Sequence, residues 1–226
     1  MAVALTGTPS SASAVGGPIS LTWSFNNNAA GNLMMVSSGG TDSPAGQHTS
    51  TVTYAGSGSG WSELSELDDG NFCATAVWSK NGSLATGAND VVITYVSTGA
   101  GERMGTASSF TGQHATTPLG TPVTKANTTD DPINVVVTDS VAGDIVYGAI
   151  TTDSTTIVEN GTLIAELENV GSDTAHGSQR HPGAASVTVE WNLAGALGGA
   201  VIAVAIKAAA GAVGLIHRKL LLGVGI

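Results

Sequence analysis

The sequence predicts an all-β protein: a two-layer antiparallel β-sandwich, jelly-roll-like in order, with a hydrophobic C-terminal extension. Three observations lead there. Charged residues make up only 11% of the 226 and hydrophobic ones 42%, and 31 glycines with abundant Ser, Thr, Ala and Val are poor material for surface helices. Apolar and polar residues alternate with a period of two, as on strands with one buried face. Clusters of Gly, Asn, Asp, Ser and Pro interrupt the alternation at short intervals, as turns do.

"ISLTWSF" (19–25) sets the pattern, with Ile19, Leu21, Trp23 and Phe25 directed inward and Ser20, Thr22 and Ser24 outward. Strand segments follow at 33–38, 49–56, 72–80, 89–97, 103–112, 132–140, 143–152, 162–171, 186–193 and 199–208. Stretches such as "NNNAAGN", "GSGSG", "DDGN", "KNG" and "STGAGE" supply turns between them. "WSELSELDDG" (61–70) is ambiguous: Leu64 and Leu67 stand three apart, which fits one helical turn as well as a loop crossing a sheet edge. "ASSFTGQHATTPLGTP" (107–122) begins as a strand, breaks at Gly112 and ends on Pro118 and Pro122, which lack ladder donors. It reads as the corner where a strand of one sheet crosses to the other.

The length suits one main domain. Residues 1–14 are expected to be an N-terminal arm, 15–208 the sandwich and 209–226 a C-terminal docking arm. In the last segment, "AAGAVGLIHRKLLLGVGI", Leu215, Ile216, Leu220, Leu221 and Leu222 surround His217, Arg218 and Lys219. Glycine and charge interrupt it too often for a membrane span, which needs about 20 mainly apolar residues. Its side chains nevertheless need cover. Leu215, Ile216, Arg218, Lys219, Leu220, Leu221 and Leu222 are therefore the expected interface residues of the arm. The N-terminus lacks a basic region and its apolar run breaks at Gly7 and Pro9, so no signal peptide is expected.

Charge and motif spacing exclude several functions. With 17 acidic residues against 7 basic ones the net charge is -10, and no basic face is available for a phosphate backbone; nucleic acid is not an expected partner. Cys73 is the single cysteine, which rules out an internal disulfide and reads as a small buried hydrophobe. His114 lacks a nucleophile motif such as G-x-S-x-G and reads as a solvated loop histidine. His176 and His181 are five apart, not four as in H-E-x-x-H, and read as polar loop residues. His48 and His217 have no evident partner. "LDDGN" (67–71) and "NTTDDP" (127–132) gather oxygens that calcium accepts, yet neither completes the calcium-loop pattern, so Asp68, Asp69, Asp130 and Asp131 read as turn and cap residues. No metal and no cofactor is expected. Of four tryptophans, Trp23, Trp78 and Trp191 alternate with polar neighbours and belong to the core. Trp61 follows "GSGSG" and is the candidate ligand contact, an indole placed to stack on a sugar or anchor a protein, unless it folds back over the sheet edge.

The order of several segments carries a resemblance. "TVTYAG", a tryptophan-bearing strand ending "VWSKNGS", "NDVVITYV", "SSFTGQHATTPLGTP", "INVVVTDSVAGDIVYGAI", "HPGAASVTVEWNL" and "AVIAVAIKA" together resemble a jelly-roll-like sandwich domain recurring in phage structural proteins and bacterial surface proteins. The match spans about residues 15 to 208. In that family the Phe110-Thr111-Gly112 stretch turns through a polar loop into a Thr-Pro element, here Thr117-Pro118. The resemblance implies architecture and setting rather than chemistry. It implies a non-enzymatic structural component of a virion, capsid-decorating or tail-associated, with copies of itself and other virion proteins as partners. The alternative is an extracellular glycan-binding adhesion module acting through Trp61.

Overall fold

The structure is a computed structural model and describes residues 1–41, 49–70, 73–96, 101–127, 129–171, 173–194 and 198–210. Among these residues the chain forms sixteen strands and no helix, and neighbouring strands pair antiparallel. The first eight are β1 (Ala4–Ala14), β2 (Ser20–Asn27), β3 (Leu33–Thr41), β4 (Thr49–Tyr54), β5 (Ser62–Asp68), β6 (Cys73–Asn81), β7 (Gly87–Tyr95) and β8 (Arg103–Thr111). They make one sheet in the order β4-β7-β2-β1-β8-β3-β6-β5. The second eight are β9 (Val123–Asn127), β10 (Ile133–Val137), β11 (Ile145–Thr152), β12 (Ile157–Glu159), β13 (Thr162–Val170), β14 (Thr174–Pro182), β15 (Val187–Leu193) and β16 (Gly199–Ile206). They split into a five-stranded sheet, β13-β14-β11-β16-β9, and a three-stranded one, β10-β15-β12.

The expected all-β antiparallel sandwich is present, and it is doubled. The eight-stranded sheet curls so that β2, β4 and β7 face β3, β6 and β8 across a core of Leu21, Trp23, Phe25, Val36, Trp78, Ile93 and their neighbours. The outer side of β3, β6 and β8 lies on the five-stranded sheet, burying Leu33, Met35, Val77 and Phe110 against Tyr147, Ile202, Val204 and Ile206. The far side of the five-stranded sheet then carries the three-stranded sheet over a core around Val135, Ile150, Val189, Trp191 and Val201. Strands covered on both faces are apolar or small throughout rather than alternating: β3, β11 and β16 are buried at every position.

The corner reading of 107–122 holds. Gly112 takes φ +78° and its backbone passes so close to the Ala2 carbonyl that a side chain has no room. The chain then runs beside β16: His114 donates its N–H to the Lys207 carbonyl (2.7 Å), Lys207 to Pro118 (2.7 Å) and Gly120 to Ala205 (2.8 Å). So it passes from the first sheet to the edge of the five-stranded one, where β9 begins.

Several expectations need correction. The N-terminal arm is instead β1, an interior strand held by β8 along its length and by β2 at Thr8↔Asn26. Within 61–70, Ser62–Asp68 form β5 rather than a helical turn or a loop, with a bulge between Glu63 and Ser65 that lets Leu64 and Leu67 both pack on the core below despite their odd spacing. Ile19 precedes β2 and is 53% exposed, while Leu21, Trp23 and Phe25 do face inward. The sandwich does not end at Ala208, because Ala209 donates to the Gly112 carbonyl (2.8 Å) and the Met1 amine to the Ala209 carbonyl (3.3 Å).

Each half seats one tryptophan over a glycine of the facing strand. A Cβ on Gly105 of β8 would lie 2.9 Å from the Trp23 ring, and one on Gly148 of β11 would lie 3.0 Å from the Trp191 ring. Gly105→Ala and Gly148→Ala are each expected to cost about 1–3 kcal/mol through overpacking. Thermal unfolding should fall by about 2–4 °C per kcal/mol in a chain of this size. Gly31→Ala, where an added Cβ meets nothing within 4 Å, should melt like the parent. Equal melting of all three would show that the layers give way more easily than this packing implies.

Candidate functional site

The most chemically suggestive cluster lies in the seam between the eight-stranded and five-stranded sheets. Ser37 of β3 and Thr106 of β8 are cross-strand partners, as are Thr151 of β11 and His176 of β14. The His176 ring has a hydroxyl at each nitrogen, Ser37 at Nε2 (2.9 Å) and Thr151 at Nδ1 (2.9 Å). Ser37 and Thr106 share a 2.6 Å hydrogen bond, and Thr106 donates to Ser178 Oγ at 3.1 Å. The donors therefore run in one direction: Thr151 to His176 Nδ1, His176 Nε2–H to Ser37, Ser37 to Thr106, Thr106 to Ser178. Tyr147 is buried beside this chain, and its hydroxyl makes no hydrogen bond of standard geometry. Burial raises its pKa, and the Ser37, Thr106 and Ser178 hydroxyls offset part of that rise.

A serine on an imidazole whose other nitrogen meets a third residue has the connectivity of an acyl-transfer triad. Its setting does not. His176 and Ser37 are 0% exposed, and Thr151 and Ser178 equally so. The third group is a threonine hydroxyl, which offers no charge to stabilise an imidazolium. Burial holds the His176 pKa down at about 3, with the Ile150 carbonyl beside the ring pulling weakly the other way. His176 is thus a neutral crosslink between layers and not the polar loop residue expected. No local sequence signal marks it, because its polar residues and the Gly177-Ser178 pair carry turn chemistry.

The other expected residues fall as follows. Trp61 is half-buried and its indole packs against the core of the first sandwich, with Nε1 enclosed and without an acceptor. That is the folded-back position rather than an exposed platform. His114 is half-buried, and its Nδ1 accepts from the Thr117 N–H (3.1 Å), a local turn contact. His181 is half-buried, which lowers its pKa, and its Nε2 lies 3.1 Å from Gln179 Oε1. Asp68 caps the Gly70 N–H (2.6 Å), Asp69 the Cys73 N–H (3.0 Å), and Asp131 the Leu193 N–H (2.9 Å), while Asp130 pairs with Lys125 (2.8 Å). Asp68, Asp69 and Asp131 thus accept from backbone N–H groups, as turn and cap residues do, while Asp130 has an ion pair instead. Cys73 is buried on β6, and burial first, then nearby Asp69, Asp153, Asp68 and Asp173, raise its pKa well above the ordinary thiol value. Partial burial, then Asp173, Asp69 and Glu102, likewise raise that of Asp153. Among the described residues no three His, Cys, Asp or Glu side chains converge as metal ligands. His48, His217 and the interface residues Leu215, Ile216, Arg218, Lys219, Leu220, Leu221 and Leu222 lie outside the described residues.

The two ends of β1 differ in their surroundings. At its start, Met1, Gly112 and Ala209 meet, and the described residues run one position further, to Ala210. Beyond its other end, Val15 is 64%, Ile19 53% and Val96 61% exposed, and the Tyr95 N–H donates to the Ile19 carbonyl (2.8 Å). Eleven strand residues separate the two ends, roughly 35 Å.

Comparison with known proteins adds no relative: no family model, no curated protein and no solved structure matches the chain.

The seam makes a pH prediction. His176 has a folded pKa of about 3 against an ordinary 6.5, so between those values the unfolded chain binds a proton that the folded chain does not. Its contribution to stability is complete above pH 6.5 and is lost as pH falls toward 3, by about 1.4 kcal/mol per pH unit. Raised carboxyl pKa values, as at Asp153 and Glu166, act with the opposite sign. Denaturant unfolding of the parent and His176→Gln from pH 7.5 to 4 should therefore show a shallower acid loss in the variant. Parallel profiles would mean the imidazole is not held neutral.

Proposed function

We propose that the chain is a non-enzymatic structural component of a surface assembly, of the capsid-decorating or tail-associated kind found on phage particles, and that it assembles through contacts between copies. The observation that carries this reading is that the described chain ends beside the start of β1, while exposed apolar side chains lie beyond the other end. Residues 211–226, with Leu215, Ile216, Leu220, Leu221 and Leu222, continue from Ala210 at one end of the stack. Val15, Ile19 and Val96 are exposed at the other. A segment leaving one end and a receptive patch at the far end make a heterologous, head-to-tail contact, which closes into rings or extends into filaments. The sealed seam supports the non-enzymatic part, because the Ser37–His176 pair is spent on holding layers together. The phage setting rests on the resemblance of segment order.

The second reading, a glycan-binding module, has its support at a cavity lined by Ser57, Ser59 and Gly60 of the loop before Trp61. Neither reading requires the other.

Light scattering tests the assembly. The full chain should form a concentration-dependent oligomer. A chain ending at Ala210, which keeps the Ala209–Gly112 and Met1–Ala209 bonds, should be a folded monomer. Ile19→Ser with Val96→Ser should weaken association at least tenfold while leaving the melting temperature within a degree or two. A monomeric full chain at high concentration, or an oligomer indifferent to both changes, would overturn the reading.

A further inference from the structure

The row of core residues on β6 ends in a charge. Ala76, Trp78 and Lys80 share one face, opposite Ser38, Val36 and Met34 of β3, and the first two pack in the core of the curled sheet. Lys80 continues that row and is only 8% exposed. A lysine so deeply placed ordinarily has a carboxylate beside it, because an unpaired buried ammonium is costly. The Lys80 ammonium has no ion pair and no hydrogen bond among the described residues, in a chain carrying 17 Asp and Glu. It lines a cavity of about 420 Å³, closed by two turns: Ser57 and Ser59 come from the first, Asn81 and Ser83 from the second.

Two further features point the same way. The Ser57 and Ser59 hydroxyls are 3.1 Å apart, so the pair presents a shared donor and acceptor edge. Ala55 and Ser83, one on each turn, are two of the three non-glycine residues with positive φ among the described residues (52° and 49°), a conformation that costs energy outside glycine.

We propose that this cavity binds a small ligand bearing one carboxylate on a hydroxylated frame, an acidic sugar residue, with Lys80 on the carboxylate and Ser57, Ser59 and Ser83 on the hydroxyls. A single cation in a chain of net charge -10 suits one negative charge and disfavours a phosphate chain or nucleic acid. The volume falls in the range of small-molecule pockets. The inference deepens the glycan-binding reading and moves its centre from the Trp61 indole to the loop that precedes it.

The test is titration of the full chain with sodium glucuronate, glucose and sodium acetate at fixed ionic strength, followed by calorimetry and by amide shifts of residues 57–60 and 80–83. Glucuronate should saturate with shifts confined to those two turns, while glucose and acetate should each bind at least tenfold more weakly. Lys80→Met, which keeps the buried stem, should lose glucuronate binding at least tenfold without a lower melting temperature, and Lys80→Arg should retain more of it. Should Lys80→Met fold poorly, Ser57→Ala with Ser59→Ala supplies the second test, expected to weaken glucuronate several-fold. Acetate binding as tightly as glucuronate, or Lys80→Met binding like the parent, would overturn the assignment. If glucose binds as well as glucuronate, the acidic-sugar assignment fails and the glycan reading stands. If no sugar binds, both fall.

Discussion

Everything in this molecule depends on the seam between the eight-stranded and five-stranded sheets. The curled first sheet has its own core and the three-stranded cover encloses another, so each half could be imagined apart. What joins them is a third layer of contact in which both partners are interior strands, β3 and β8 on one side and β11 and β14 on the other. Apolar packing around Phe110 and Tyr147 supplies the area, with the two rings edge-on at 6.3 Å. The hydroxyl–imidazole chain fixes the register. A continuous hydrogen-bonded row has one alignment in which every donor finds its acceptor, whereas an apolar seam slides at small cost. Small residues make the row fit: Gly39 of β3 lies against Thr151 and His176, and no side chain can be added there without moving one of them.

That constraint also explains the buried polar content of the strands. Ser37, Thr106, Thr151, His176 and Ser178 would each be expensive in an apolar interior, where an unpaired polar group costs roughly 1–3 kcal/mol. Together they satisfy one another. Thr75 completes the pattern from β6 by donating to the Ala200 carbonyl of β16 across the same seam at 2.8 Å. The chain's richness in Ser and Thr is therefore not only a surface property. Part of it holds the layers in register, and this is compatible with having few charged residues to do so.

The sequence is most legible where a strand has one wet face. β2, β7, β10 and β15 alternate, and their inward residues follow the alternation apart from Ile19, which lies just outside the ladder. It is least legible where both faces are covered by polar partners. β14 reads as a loop because Thr174, His176, Ser178 and Gln179 resemble solvated residues, and nothing local shows that their partners lie on other strands. β1 fails for a related reason: Gly7, Pro9 and its serines carry turn chemistry, while its place between β2 and β8 is set by residues about twenty and a hundred positions away. The bulge in β5 gives Leu64 and Leu67 a helical spacing on a strand. Of the candidate sites, Trp61 is visible as an unusual residue, yet its orientation is decided by the core it packs on. Lys80 sits beside a plain Asn-Gly turn, and only burial makes it conspicuous.

Charge placement is the part of the design that remains after the seam is understood. Five of the seven Lys and Arg lie in the described chain, because Arg218 and Lys219 fall beyond it. Lys125 meets Asp130, Lys207 lies between Asp139 and Asp144, and Arg103 is buried with its guanidinium 4.7 Å from the centre of the Tyr95 ring. Each of these ties one segment of the chain to another. Lys80 and Arg180 do not, and they differ in kind. Arg180 is half-exposed, so water can solvate what the protein leaves unpaired, although its Nε is enclosed. Lys80 is at the end of a core row and relies on the cavity in front of it. In an acidic chain, a cation that forms no ion pair with any described carboxylate has its field directed outward into that cavity, where a ligand can supply the charge that the described residues do not.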